Sequence, residues 1–479
     1  MTDDIIIVGG GPSGLAAAYE CVQYGAPVAV IERLDQVGGL CRTIEFKHSR
    51  FDVGPHRFFT KNPEVKDLFH RVLGEDLVTV RRKTRIVYDN HYFDYPLTPL
   101  NAMTGIGLRS GLAIAGSYAA ARVRSFVASG PGETFEDWIV ERFGRELYET
   151  FFKNYTEKVW GIPCHRIAAD WASQRIRGLS LGASIRNAMF KSGRSSIKTL
   201  IDEFSYPRLG AGQFYEKLSA LVIAGGGRVR TGLTVRRLRR EGGRMCSVVM
   251  EDRYGGTFEV EGRYFLTSAT LTDALEMIDP APPEDVLHAC RSLRYRDHIG
   301  VNLLVRGAVF PDNWIYIHSQ DVALARVTSY KNFSRDMAAD ADVSPITVEY
   351  FAFPGDDLSS LDDKALIEMA IGELGQLRLL TRDQLIDGFV VRSEKAYPVM
   401  EMGYQAHVAT IKAWLDRLEN LLPIGRAGMF KYNNQDHAIA TGLLSARRAL
   451  GFGRYDPWLV NIDAAYQEGN DEPGSRVQS

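Results

Sequence analysis

The stretch DIIIVGGGPSGLAAAYECVQYGAPVAVIE, residues 4–32, decides the fold. Residues 4–8 are a β-branched run that reads as a buried strand. Residues 9–14 are glycine-rich, residues 15–24 have helix-forming composition with apolar positions on one side, and Gly25 ends the helix. A second apolar run, 27–31, closes on Glu32. Strand, glycine turn, helix and strand within about 30 residues are the context that a dinucleotide-binding Rossmann unit requires. In that reading Gly9 permits the tight turn, Gly11 lets the backbone approach a pyrophosphate, and Gly14 lets the helix sit close on the strand. Ser13 opens the helix whose N-terminus faces the phosphate charge. Glu32 accepts hydrogen bonds from the adenosine ribose hydroxyls.

Residues 33–43, RLDQVGGLCRT, separate FAD from NAD. A second glycine pair, Gly38-Gly39, allows the backbone to pass close to an extended dinucleotide. Arg42 adds a cation, and the E-x5-GG arrangement resembles the start of the flavin-dependent amine oxidase, phytoene desaturase and sugar mutase superfamily; the resemblance implies FAD, bound non-covalently, with Arg33, Gly39 and Leu40 along its path.

The chain has 479 residues and is 45% hydrophobic, which allows two or three domains with sizeable cores. A net charge of -2, from 57 basic and 59 acidic residues, provides no global field for nucleic acid or an anionic membrane. An anionic ligand must therefore be met by locally placed arginines. Cys21, Cys41, Cys164, Cys246 and Cys290 are scattered without CxxC spacing, which argues against a disulfide framework or a metal site and favours a reducing cytoplasm. The N-terminus lacks the basic start of a signal peptide. The apolar stretch 110–121 is too short to span a bilayer and reads as a buried helix, so no integral membrane association is expected.

Helical spacing at 133–153 and few strand-like runs between 100 and 200 point to a helical insertion. Strand-like runs at 228–236, 245–251, 257–267, 299–306, 314–318 and 345–352 point to antiparallel sheet. Segments 362–379, 405–420 and 438–450 look helical. The expected fold is α/β: a Rossmann-type FAD-binding domain from residues 1–45, 205–275 and 385–465, a helical lid at 100–204, and an antiparallel-sheet substrate domain from 46–99 and 276–384. Residues 466–479 read as a disordered tail.

From Phe51 onward the chain resembles UDP-galactopyranose mutase and its relatives in the flavin-dependent amine oxidase superfamily. The pieces that carry the likeness are FDVGPHRFFTKN (51–62), NYTEKVWG (154–161), SQRIRG (173–178), ARVTSYKNF (325–333), KAYPV (395–399) and IGRAGMFKYNNQDHAI (424–439). The resemblance implies a pyranose–furanose mutase in which N5 of a reduced flavin attacks the anomeric carbon of a nucleotide-diphosphate sugar, with no net redox change. It implies that Arg175 and Arg326 flank the diphosphate and that Tyr397 and Tyr432 donate to it. It places Tyr155 against the nucleobase, Trp160 along the sugar pocket, His56 beside the flavin, Arg426 on its pyrophosphate, and Asn434 and Gln435 at the helix facing its ring. NAD(P)H as reductant, a homodimeric assembly and a role in polysaccharide biosynthesis stay open under this resemblance.

The chain departs from the family pattern where Phe59 replaces its second histidine and where Ala396 precedes the YPV tyrosine, which puts galactose itself in doubt. The alternative reading is an FAD-dependent oxidoreductase of the protoporphyrinogen oxidase or amine oxidase type, which shares the YPRLGAGQFYEKL element at 206–218. A third is FAD held as a purely structural ligand.

Overall fold

The structure, a computed structural model, describes residues 3–89, 91–95, 108–125, 132–171 and 203–461. Asp3–Val8 is the strand that the β-branched run predicts, and it lies parallel between Val28–Ile31 and Thr257–Thr267. Arg228–Arg230 and Leu421–Pro423 extend the parallel sheet outward on either side. Side chains of the first strand alternate between two cores, as strand geometry dictates. Ile5 and Ile7 pack with Leu15, Phe214, Leu218, Ile439 and Leu443 of three helices, Pro12–Gln23, Gly212–Ala224 and Gln435–Ala449. Ile6 and Val8 face Leu238, Val248, Met250 and Trp414 on the other side. The long strand Thr257–Thr267 serves two partners. Its end half completes the parallel sheet, while its beginning pairs antiparallel with Arg244–Asp252, which in turn pairs with Leu233–Glu241.

A second sheet has seven strands in the order Leu385–Pro398, Tyr295–Arg306, Val343–Ala352, Arg326–Ser329, Trp314–Ile317, Thr84–Tyr88 and His91–Asp94. Every pairing is antiparallel except that between Trp314–Ile317 and Thr84–Tyr88. The expected mixed architecture is therefore present: a parallel Rossmann sheet, an antiparallel sheet with one parallel pair, and helices at 108–125 and 135–160. Three expected boundaries shift, the first at 276–293, where Ile278–Asp279 pairs with Leu233–Glu241 and Val286 and Leu293 join the core of Ile6 and Val8. Leu385–Pro398, assigned above to the FAD-binding segments, instead runs along Tyr295–Arg306 in the second sheet. The helix Pro63–Leu73, assigned to the substrate domain, buries Val65, Leu68 and Phe69 in the dinucleotide core.

The helical part departs from its sequence reading in two ways. The run 133–153 is not one helix: it starts on a Thr134–Asp137 capping box, breaks at Gly144 (φ 85°) and continues as π-helix through Tyr148–Lys153. The apolar helix Leu108–Ser125 is not buried. Ile114 and Ala121 pack inward and the chain at Ser117 and Tyr118 passes close to Gly144, but Leu112 is 61% and Val123 66% exposed. Among the described residues no helix is long and apolar enough to cross a membrane.

Asp52, a buried carboxylate at the end of the short strand Ser49–Asp52, ties the start of the helix Gly212–Ala224 to Tyr330, which follows Arg326–Ser329 of the second sheet. It accepts from Thr43 Oγ1 at 2.6 Å, Tyr206 Oη at 2.7 Å and the Ala211 amide at 3.0 Å, while Tyr330 Oη donates to its backbone carbonyl at 2.6 Å. Burial pushes this carboxyl up to about 7 against the pull of those donors. Asp52→Ala strips three buried donors of their acceptor and should cost at least about 3 kcal/mol by denaturant unfolding, whereas Asp52→Asn, which keeps an acceptor, should cost less. Equal stability of the two variants would show that the junction does not depend on these hydrogen bonds.

Candidate functional site

The glycine turn is built as the sequence requires. Gly9 has φ 101°, and a side chain there would meet Ser268 Oγ at 2.1 Å; at Gly14 it would meet the Gly9 carbonyl at 1.9 Å. Gly11 differs. Its nearest neighbour is the Gly39 Cα at 3.7 Å, so its glycine identity is not demanded by the protein's own packing. The turn at Gly38 (φ 104°) and Gly39 comes back onto it, with the Gly38 amide donating to the Gly10 carbonyl at 2.8 Å. The two glycine turns thus face each other at the N-terminus of the helix Pro12–Gln23, where backbone N–H groups and the helix dipole suit a pyrophosphate. Glu32 is buried at the end of its strand, its carboxylate accepting from the Gly10 and Leu34 amides at 2.7 and 2.9 Å. Each of its oxygens keeps lone-pair capacity for a ribose hydroxyl. Gly425 abuts Ser13, so the short helix carrying Arg426 reaches this turn from the C-terminal part of the chain. Leu40 is half-buried in the second glycine turn, whereas Arg33 is exposed and contacts Glu394 only at 3.8 Å. These features fit an extended dinucleotide.

Register places the second functional group. Gly300, Glu349, Arg326, Tyr316 and Ile86 stand abreast on neighbouring strands, so they share one face of the second sheet. Arg326 grips Glu349 with both prongs, Nε to Oε1 at 2.6 Å and an Nη to Oε2 at 2.5 Å, and His298 Nε2 lies 3.0 Å from the same carboxylate. Glu349 is wholly buried. Burial alone would raise its carboxyl, but Arg326 outweighs it and holds the group down to about 2. The pair is a fixed, charge-balanced unit. Gly54 packs beside it, and His56, whose Nδ1 is 2.9 Å from the Gly54 carbonyl, is driven down to about 3 by burial and by the cations Arg426 and Arg326. His56 is therefore a neutral imidazole at this place.

The third group is aromatic. Arg426 lies over the rings of Tyr432 and Tyr397, at 4.8 and 5.1 Å, with its Nε donating to the Asn433 carbonyl at 2.7 Å. The two phenol rings are 5.8 Å apart, and Trp160 packs against both. Tyr155, on the helix Asn154–Trp160, stacks on His318 at 4.6 Å with its edge toward Tyr316. Burial raises the Tyr155 and Tyr397 phenols, which remain protonated donors. Gln435 ties this region to the cofactor side by donating to the Arg57 carbonyl at 2.8 Å and accepting from Tyr215 Oη at 3.0 Å. Asn434 caps its helix.

Of the residues expected from sequence, His56, Arg326, Tyr155, Trp160, Tyr397, Tyr432 and Arg426 converge, although they come from segments spread between positions 56 and 432. Trp160 is only 2% exposed and contributes as a packed wall. Arg175, the lid segment to 202 and the tail from 466 lie outside the described residues. Sequence reasoning missed Glu349, His298, His318 and Lys158. Glu349 carried one available signal: a charged residue in the otherwise apolar strand PITVEYFA.

An NAD(P)-binding Rossmann-like domain model matches residues 7–72. A probable UDP-galactopyranose mutase of Klebsiella pneumoniae is 27% identical over 172 residues, 35% of this chain and 43% of that protein. A zeta-carotene-forming phytoene desaturase of Myxococcus xanthus is 27% identical over 294 residues, 58% of this chain and 55% of that protein. The chain thus spans about half the length of the curated relatives it matches. The crystal structure of reduced UDP-galactopyranose mutase superposes with a TM-score of 0.82 at 19% identity, covering 96% of this chain and 99% of that one. The chain carries a dinucleotide-binding Rossmann-like domain, and it is similar to UDP-galactopyranose mutase in sequence over its matched part and in architecture over nearly its whole length.

Proposed function

We propose that this chain is an FAD-dependent mutase that interconverts ring forms of a nucleotide-diphosphate sugar. The observation that carries this reading is the convergence of Arg326 with the Tyr397 and Tyr432 phenols, next to Arg426, which lies over both rings on a helix that reaches the dinucleotide turn. Neutral phenols and guanidinium groups are donors, and donors in a partly desolvated setting suit a diphosphate whose charge grows as an anomeric bond breaks. An apolar hydrocarbon substrate would offer these donors no acceptor. When bound, reduced flavin would supply an electron-rich ring nitrogen able to displace a leaving group at carbon.

The chain's own groups then have distinct tasks. Arg326, Tyr397 and Tyr432 hold the diphosphate end of the sugar nucleotide, and Arg426, whose helix reaches the glycine turn, meets the flavin pyrophosphate. Trp160 walls off water. Neutral His56 offers a hydrogen bond without adding charge. Arg175 would bring the second guanidinium of the clamp expected from sequence.

The test is redox dependence. With dithionite-reduced protein under anaerobic conditions, a screen of UDP-, GDP- and dTDP-sugars should give an isomerised product that the oxidised protein does not form. Consumption of one oxygen or one electron acceptor per product would overturn the mutase reading in favour of an oxidoreductase.

A further inference from the structure

Lys158 plays no part in the chemistry above, yet its ammonium sits in a cage of backbone oxygens. Its Nζ donates to the carbonyls of Ile317, Ser319 and Leu324 at 3.2, 2.8 and 3.0 Å, which uses all three of its donors. The same turn is held from the opposite side. Glu373, on the helix Asp363–Gln376, accepts from the Ala323 and Leu324 amides at 2.5 and 3.0 Å and from Tyr350 Oη at 2.8 Å. A cation on the carbonyls and an anion on the N–H groups thus fix one short segment, residues 317–325.

That segment has functional groups at both ends. It begins next to His318, on which Tyr155 stacks, and it ends at Arg326. Lys158 itself is on the helix that carries Tyr155 and Trp160. That helix is fastened at its far end by Arg296, which donates to the Lys158 and Phe351 carbonyls at 3.2 and 2.6 Å and lies so close to Gly161 that no side chain fits there.

We infer that Lys158 is a positioning residue: together with Glu373 it clamps residues 317–325 and so sets the separation between Tyr155 on the helix and Arg326 on the sheet. Removing the cation orphans three carbonyls and frees the helix from the turn; removing the anion loosens the turn and leaves the helix where it is. Clamping acts on the part of a ligand that reaches Tyr155, and leaves a ligand confined to the anion-binding groups untouched, because Arg326 is independently anchored by Glu349. This second consequence rests on the nucleotide-sugar reading; the first does not.

The experiment uses FAD-loaded wild type, Lys158→Met and Glu373→Gln. By hydrogen exchange with mass spectrometry, Lys158→Met should speed exchange of amides in both 154–160 and 317–325 by at least about tenfold while 343–352 keeps its protection. Glu373→Gln should speed 317–325 alone. Calorimetric titration with UDP and with inorganic pyrophosphate should show UDP bound about tenfold more weakly by Lys158→Met and pyrophosphate bound equally. Unchanged exchange in both segments, a uniform acceleration throughout the chain, or unchanged UDP affinity would overturn the inference. If wild type bound neither UDP nor pyrophosphate, the nucleotide-sugar reading would fall, and the exchange pattern would still decide the clamp.

Discussion

Gly11→Val is expected to give a folded protein that no longer retains flavin. A Cβ at this position meets the Gly39 Cα at 3.7 Å, an ordinary contact, and the residue's φ of -82° is open to any side chain. The protein therefore tolerates the substitution. A bound pyrophosphate does not, because the two valine methyls occupy the surface along which it must approach the helix N-terminus. The expected loss of FAD affinity is at least about 100-fold, or ~2.7 kcal/mol, read from visible flavin absorbance of the purified protein and from FAD titration. Gly14→Ala makes the contrast. There the added methyl would lie 1.9 Å from the Gly9 carbonyl, so the helix must lift off its strand, and the cost, about 1–3 kcal/mol, should appear in unfolding whether or not FAD is present. Full flavin occupancy in Gly11→Val would remove this turn from the cofactor site.

The contrast between those two glycines shows what was legible in the sequence. The Rossmann unit is local: its strand, turn and helix are contiguous in residues 4–32, and each glycine's task follows from spacing. The converging site is not local. Arg326, Tyr397, Tyr432 and Trp160 were reached through resemblance, since nothing in their spacing says that they meet. The partners that govern them were out of reach for a physical reason. Glu349 faces Arg326 because two antiparallel strands pair in one register, and a shift of one residue would send its side chain to the opposite face. Lys158 finds its carbonyls in a turn more than 150 positions away. Composition misled in one place. Alanine and glycine made 110–121 look like core, yet small side chains bury little area and the helix keeps an exposed apolar face.

Arg326→Ala is expected to damage stability and, under the proposed reading, turnover together, and the two effects can be separated. Glu349 is wholly buried, and without the guanidinium its carboxylate retains His298 Nε2 at 3.0 Å and Thr328 Oγ1 at 3.5 Å. Breaking a buried pair by removing one partner leaves an uncompensated charge and should cost about 3–5 kcal/mol in denaturant unfolding of the FAD-loaded protein. The double variant Arg326→Ala with Glu349→Gln removes that charge and should regain most of the loss. The pair also sets an acid limit. The Glu349 carboxyl is at about 2 in the folded chain against an ordinary 4.5, so its contribution is complete above that ordinary value and is lost as pH falls toward 2. Glu349→Gln should therefore lose less stability than wild type over that interval. Turnover distinguishes the roles. If Arg326 serves the diphosphate as well as Glu349, the stability-restored double variant should remain impaired in both kcat and substrate affinity, because a donor that meets growing charge is missing from the transition state. Arg326→Lys should rescue only in part, since an ammonium cannot reproduce the two-pronged grip. A double variant with restored stability and wild-type turnover on the true substrate would reduce Arg326 to a structural partner of Glu349 and leave the substrate's charge to Arg175 and the phenols.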